Sequence, residues 1–399
     1  MKVAKTGAAL TALLLIATQG TAVAQDRPEE PGAAAMAYLQ RWHAETSAPG
    51  VSAAVAVGGR LVFSAGVGQA NLEAGTAMDG RSVHNIGSVS KLMSLVAVMQ
   101  LVERGKVSLD AEIQAYAPWF PRKAHPITLR HILTHTSGIR HYKEGEFSEG
   151  HAPSFRQFDT FEESTRFWRD DPLLFDPGTH WLYSSFAVNL LQAVVESASG
   201  QPFEQYLVEH VFQPAGMPDT RFDVPRRIVP RRVEGYVWSQ KAWQLQNEAD
   251  ENVSYKYASG GMISTDEDLC RFGAALNAGR LLKAATLAEV YRPQLPRDLP
   301  LSQQEIDKHA ANYPGVPPPS AGLYQGLIFM LGEDAEGRHY VGHTGGVKGM
   351  NSRFTNYYGE NVVVAVHFNM TDSGSAVDIR QAAEALAQLY LPATARKFH

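Results

Sequence analysis

The chain has 399 residues, 44% of them hydrophobic and 19% charged, a balance ordinary for a globular protein. Its formal charge of −5 argues against nucleic acid as a partner. A single cysteine, Cys270, excludes any internal disulfide and reads as a core residue of the helix-like run DEDLCRFGAAL. In chain order, Lys2 and Lys5 come first, then AALTALLLIATQGTA, then AVA before Gln25. This is the pattern of a secretory signal peptide over residues 1–24, too short to span a membrane and followed by no comparable run. Export, to a bacterial periplasm, with cleavage near Ala24, is therefore expected, and an integral membrane protein is not. Cleavage would remove two lysines and no acids, moving the formal charge from −5 to −7.

Residues 25–399 can bury a substantial core. AAAMAYLQRWHAET is helix-like, and VSAAVAVGGRLVFSAGVG is two short β-rich runs joined by Gly58-Gly59, a hairpin signal. Near the C-terminus YQGLIFMLG, RHYVGHTGG and NVVVAVHFNM are strand-like, and SAVDIRQAAEALAQLYL is an amphipathic helix. Strands with no helix between them predict an antiparallel sheet assembled from both chain ends. The middle is mostly helical: KLMSLVAVMQLVERG, ITLRHILTHTSG, FAVNLLQAVVESASG and STDEDLCRFGAALNAG, several ending at glycine. The expected fold class is thus α/β (α+β): an antiparallel sheet flanked by N- and C-terminal helices, from about 30–85 and 255–399, with a mostly helical part inserted over about 86–254. Residues 290–322 read as a long Pro-rich connection, a candidate lid or partner surface.

Chemistry concentrates in three places. The first is GSVSK, where Ser88 and Lys91 are three apart at the head of an apolar helix, so that Ser88 Oγ and Lys91 Nζ can meet. If Ser88 starts the helix, unpaired N–H groups and the positive dipole end there favour a developing oxyanion. Apolar neighbours predict a buried Lys91 whose pKa must fall about 3 units to serve as a base near neutrality. The second is HWLYSSFAVNLL, with Tyr183, Ser184 and Ser185. A phenol beside a cationic lysine loses its proton more readily, so Tyr183 and Lys91 are expected to share one proton, with the base left open between them. The third is GHTGGVKG: His343, Thr344, Gly345 and Gly346 end a strand-like run, and the Gly346 N–H is the expected second oxyanion donor beside that of Ser88.

These three elements, with NIGSVSKL, ITLRHILTHTSGI, FDPGTHWLYSSFAVNLL and ASGGMISTDEDLCRF, resemble the serine β-lactamase and penicillin-binding-protein superfamily. The likeness is to its class C-like branch, near the mitochondrial serine β-lactamase-like proteins and their bacterial relatives. The resemblance implies a sheet flanked by helices plus a helical domain, the site between them, a small-molecule or peptide substrate, and no metal or organic cofactor. It implies catalytic roles for Ser88, Lys91 and Tyr183, and substrate or oxyanion contacts from Ser185, His343, Thr344, Gly345 and Gly346. Two positions depart from the family pattern S-x-x-K, Y-x-N, K-T-G. Ser185 stands where the pattern has Asn and cannot donate twice. His343 stands where it has Lys, so carboxylate binding should be weaker, and activity on anionic substrates should rise as His343 protonates between about pH 8 and 6.

The leading expectation is an exported serine hydrolase that forms an acyl-enzyme and cleaves amide or ester bonds. The alternatives are a D,D-peptidase or D-aminopeptidase acting on cell-wall peptides, or a catalytically silent binding or assembly module of the same fold. HILTH places His131 and His135 four apart, as helix-borne zinc ligands would be, but Ile132 replaces the metalloprotease Glu, so a structural role is expected. The polar, aromatic stretch from Tyr142 to Arg169 reads as a loop near the site entrance.

Overall fold

The computed structural model describes residues 31–143, 146, 156–239, 242–248, 251–312, 324–371 and 378–392. The signal-peptide reading of residues 1–24, and residues 313–322 of the Pro-rich connection, lie outside the described residues.

Helix α1 (Pro31–Thr46) buries Ala35, Leu39, Trp42 and Thr46, one stripe at helical spacing. It leads into strands β1 (Gly50–Val57), β2 (Arg60–Asn71) and β3 (Thr76–Ala77). Gly58 and Gly59 turn the β1–β2 hairpin with φ of +57° and +79°, as a two-residue primed turn requires. From the other chain end come β4 (Met330–Glu333), β5 (His339–Val347), β6 (Met350–Tyr357) and β7 (Val362–Phe368). They complete one seven-stranded sheet of order β3-β2-β1-β7-β6-β5-β4. Every neighbouring pair is antiparallel, with β1 and β7 joining the two chain ends in the register Val55↔Val364. The mixed α/β fold with an antiparallel sheet is as expected.

Both faces of the sheet are covered, which is why β1 (GVSAAVAV) shows no polar alternation. Val51, Ala53 and Val55 pack with Leu39 and Trp42 of α1 and Leu386 of the C-terminal helix. Ala54 and Ala56 face the larger core, with Val96 and Phe272. That core centres on α2 (Ser90–Glu103), whose residues 90–101 are all buried. Around it lie α3 (Leu129–Leu133), α4 (Ser185–Asn189), α5 (Leu191–Ser199) and α6 (Asp266–Asn277).

Two segments differ from the sequence reading. The Pro-rich connection contains a helix, α7 (Gln303–Asn312), opened by Ser302, whose Oγ accepts from the Glu305 N–H at 3.3 Å; Ser302-Gln-Gln-Glu305 is a capping sequence among the prolines. In YQGLIFMLG only Met330–Glu333 is strand, because Ile328 takes φ +59° and its N–H bonds Leu133 O at 2.8 Å. The chain closes with α8 (Ile379–Gln388), and among the described residues no helix is long and apolar enough to cross a membrane.

Candidate active site

Ser88 lies not in α2 itself but in the single 3₁₀ turn Gly87–Val89 that precedes it. The turn is held from both sides. Asn85 Oδ1 accepts from the Gly87 N–H at 2.9 Å, and Ser352 Oγ on β6 donates to Ile86 O at 2.9 Å. Strand β5 lies against it so closely that a Cβ on Gly345 would come within 2.0 Å of Ile86 O, and one on Gly87 within 2.8 Å of the Gly346 N. Glycine at these positions lets the strand edge reach the serine, so the first and third sequence elements meet. Past Gly342, β5 has no partner strand on its outer edge among the described residues, leaving the Gly346 backbone open beside Ser88.

Lys91 is fully buried. Its Nζ lies 2.8 Å from Ser88 Oγ, 3.0 Å from Ser185 Oγ and 2.6 Å from Ser259 O. Among the described residues no carboxylate pairs with it. Burial first, and the nearby charge of Lys256 second, drive its pKa well below the usual lysine value. Tyr183 places its ring 5.0 Å from Lys91 Nζ, bringing the second element to the same point. Its phenol is pushed up rather than down, because burial outweighs the hydrogen bonds with Ser88 and Ser185 that favour ionisation. Desolvation thus works against the charged form of both groups, opposite to the ionisation that proton sharing between phenol and lysine calls for.

Helix α4 is capped by Ser184, whose Oγ accepts from the Ala187 N–H at 3.1 Å and donates to Arg140 O at 2.8 Å. This fixes Ser185 and the preceding tyrosine. The Ser184 N–H donates to His135 Nδ1 at 3.3 Å, and the Ser185 N–H to His141 Nδ1 at 3.2 Å. His131 Nδ1 instead accepts from the Thr128 N–H at 3.2 Å. His131 and His135 thus serve different backbone groups, and His135, at φ +58°, has left the helix. Burial lowers the pKa of His135 far below normal and that of His141 to about 3.

His343 is buried, with Nδ1 2.7 Å from Thr344 O. Burial, then Lys91, push its pKa down to about 3. The protonation expected between pH 8 and 6 is thereby displaced far to the acid side, because burial and the positive charges of Lys91 and Arg353 oppose the imidazolium. Thr344 Oγ1 accepts from Arg353 Nη1 at 3.3 Å.

Ser88, Tyr183 and Gly346 line two adjoining cavities. The larger, about 770 Å³, is walled by Trp181, Leu301, Ile328, Met330, Tyr340 and the His343–Thr344 edge. The smaller, about 240 Å³, is lined by His141, Tyr142, Ser185, Lys256 and Ser259. Sequence reasoning missed Ser259, His141 and the buried Lys256–Glu251 ion pair, whose Nζ lies 2.9 Å from each carboxylate oxygen. Ser259 acts through its backbone carbonyl and so carries no side-chain signal. An ionisable pair in an apolar run, as in ENVSYKYASGG, is the one cue that pointed toward Lys256.

A family profile described as Beta-lactamase matches residues 25–388. The chain is 28% identical over 396 residues to the Homo sapiens serine beta-lactamase-like protein LACTB, mitochondrial, covering 79% of this chain and 70% of that one. It is 37% identical over 187 residues to esterase EstB of Burkholderia gladioli, covering 43% of this chain and 47% of that one. Among solved structures, the octameric penicillin-binding protein homologue from Pyrococcus abyssi superposes with a TM-score of 0.71 at 23% identity, covering 90% of this chain and 77% of that one, a likeness of fold.

Proposed function

The chain belongs to the beta-lactamase family of hydrolases, and on that premise we propose that it is a serine acyl-hydrolase in which Ser88 is the nucleophile, Lys91 its base and Tyr183 the proton carrier to the leaving group. The observation that carries this reading is the environment of Lys91 Nζ. A neutral amine has two N–H donors and one lone pair. Ser259 O, as a carbonyl, must accept one donor and Ser185 Oγ takes the other, so the lone pair is left for the Ser88 hydroxyl 2.8 Å away.

In the acylation step Ser88 Oγ bonds to the substrate carbonyl carbon while its proton passes to Lys91 Nζ. The oxyanion is held by the backbone N–H groups of Ser88 and Gly346. As the tetrahedral species collapses, the Tyr183 phenol gives its proton to the departing amine or alkoxide and recovers one from Lys91, leaving both groups neutral. Water then attacks the ester by the same path in reverse, releasing the acid and restoring Ser88. With His343 neutral, the pattern's cation is absent from the strand edge, which favours amide and ester hydrolysis over efficient turnover of anionic β-lactams.

We also read residues 1–24 as a secretory leader, and the site as lying between an α/β part (about 30–85 and 255–399) and a helical part (about 86–254). The test of the central reading is intact-mass spectrometry after exposure to a fluorophosphonate. One adduct on the parent that is lost in Ser88→Ala supports it; an adduct retained by Ser88→Ala sinks it.

A further inference from the structure

Two histidines on the wall of the larger cavity have their proton positions fixed by the backbone, and among the described residues the second nitrogen of each finds no hydrogen-bond partner. His343 Nδ1 lies 2.7 Å from Thr344 O. A carbonyl oxygen has no hydrogen to give, so Nδ1 carries the ring proton and Nε2 presents a lone pair. Among the described residues no donor reaches that Nε2. His135 has the opposite tautomer. Its Nδ1 accepts from the Ser184 N–H at 3.3 Å, so Nε2 carries the proton, and that Nε2 is buried with no acceptor. His135 is only 1% exposed. Both rings flank Tyr183, with centroids 4.6 Å (His135) and 6.1 Å (His343) from it, and both line the cavity that opens on Ser88.

The buried His135 donor is costly until a ligand supplies an acceptor, and the His343 lone pair on the same wall calls for a donor beside it. A carboxylate cannot do so, because it offers acceptors only and sets a lone pair against His343 Nε2. A carboxamide, or the next peptide unit, offers an N–H to one ring and a C=O to the other. The charged groups of this cavity give no compensating pull on an anion. Glu305, Glu333 and Asp378 stand against Lys308, Arg353 and Arg380. Arg353 is engaged by Thr344 Oγ1 at 3.3 Å and Thr355 Oγ1 at 3.0 Å, and Arg380 pairs with Asp378. We propose that the leaving-group side of this site recognises a neutral amide, donated to by His135 Nε2–H and accepted by His343 Nε2, in place of a terminal carboxylate. This specificity rests on the serine-hydrolase reading above.

The test uses the full chain and two thioesters that differ in one group, S-(N-benzoylglycyl)thioglycolic acid and its carboxamide, with the rate of Ser88 acylation read by intact mass. Two hydrogen bonds at roughly 1 kcal/mol each predict acylation at least about tenfold faster by the carboxamide. His343→Lys, which exchanges the lone pair for a cation, is expected to abolish or invert that ratio. His135→Phe, which removes the donor, is expected to slow the carboxamide more than the acid. Equal or faster acylation by the acid in the parent chain overturns the inference without reference to any variant. So does a Ser88 that takes the fluorophosphonate but neither thioester. Failure of the fluorophosphonate itself to label Ser88 overturns the hydrolase reading, and this inference with it.

Discussion

Gly345 stands against the carbonyl of Ile86, two residues before Ser88, so closely that a Cβ would lie 2.0 Å from that oxygen and 2.6 Å from Ser352 Oγ. Neither neighbour can yield cheaply, since Ile86 O is backbone and Ser352 Oγ is already bonded to it. Gly345→Ala is therefore expected to lever β5 away from the serine turn and carry the Gly346 N–H out of oxyanion range. Loss of one such donor is worth about 10²- to 10³-fold in kcat. Steady-state hydrolysis of a neutral ester, alongside thermal unfolding, checks this; unaltered kcat would mean that Gly346 is not a donor.

Lys91 is expected to act as a free amine, so activity should persist at neutral pH and fall as pH drops through its depressed pKa. The sign is that of a base: the uncharged form is the working one, and acid removes it. Lys91→Arg, which stays protonated, should lose at least about 10³-fold in kcat/KM. Retention of activity in the arginine variant would exclude Lys91 as the base.

His343, pushed to about 3, should not titrate between pH 8 and 5. His135 and His141 are also held below the normal range by burial, and His309 is the remaining imidazole of the larger cavity. In a His309→Gln background, the ratio of kcat/KM for an anionic over a neutral ester should therefore be flat over that range. A ratio that climbs severalfold toward pH 6 would show that His343 does take up a proton.

The Lys256–Glu251 pair is 7% and 8% exposed, with Tyr255 Oη donating to Glu251 Oε1 at 2.6 Å. Glu251→Gln leaves an uncompensated buried ammonium and should cost about 3–5 kcal/mol in urea unfolding. The folded carboxyl is held below its normal pKa, so its contribution is present above the unfolded value and lost as pH falls through the folded one. Lys256→Met should also shift the acid limb of kcat/KM upward in pH, because one of the two causes that depress Lys91 is removed.

Much of the frame was readable because its causes are local. Gly58-Gly59 can only turn a hairpin one way, and SVSK at the head of an apolar run puts a hydroxyl and an amine on one helical face whatever surrounds them. Met330–Glu333 was read too long because the break at Ile328 depends on a hydrogen bond from its N–H to the carbonyl of Leu133, a residue 195 positions away. The Ser302 cap of α7 was present in the sequence and was masked by the prolines on either side.

By itself, the sequence determined which chemical groups are present and their short-range geometry: a serine and lysine one turn apart, a tyrosine before a capped helix, and two glycines ending a strand. The tertiary structure alone decided their protonation and hydrogen-bonding roles. Segments from residues 183–185 and 256–259 enclose Lys91, with no carboxylate paired to it among the described residues, and push it toward the free amine, while the Thr344 carbonyl holds the His343 proton on Nδ1 and leaves Nε2 to accept. Charge state depends on solvation and on neighbours distant in sequence, which spacing along the chain does not encode.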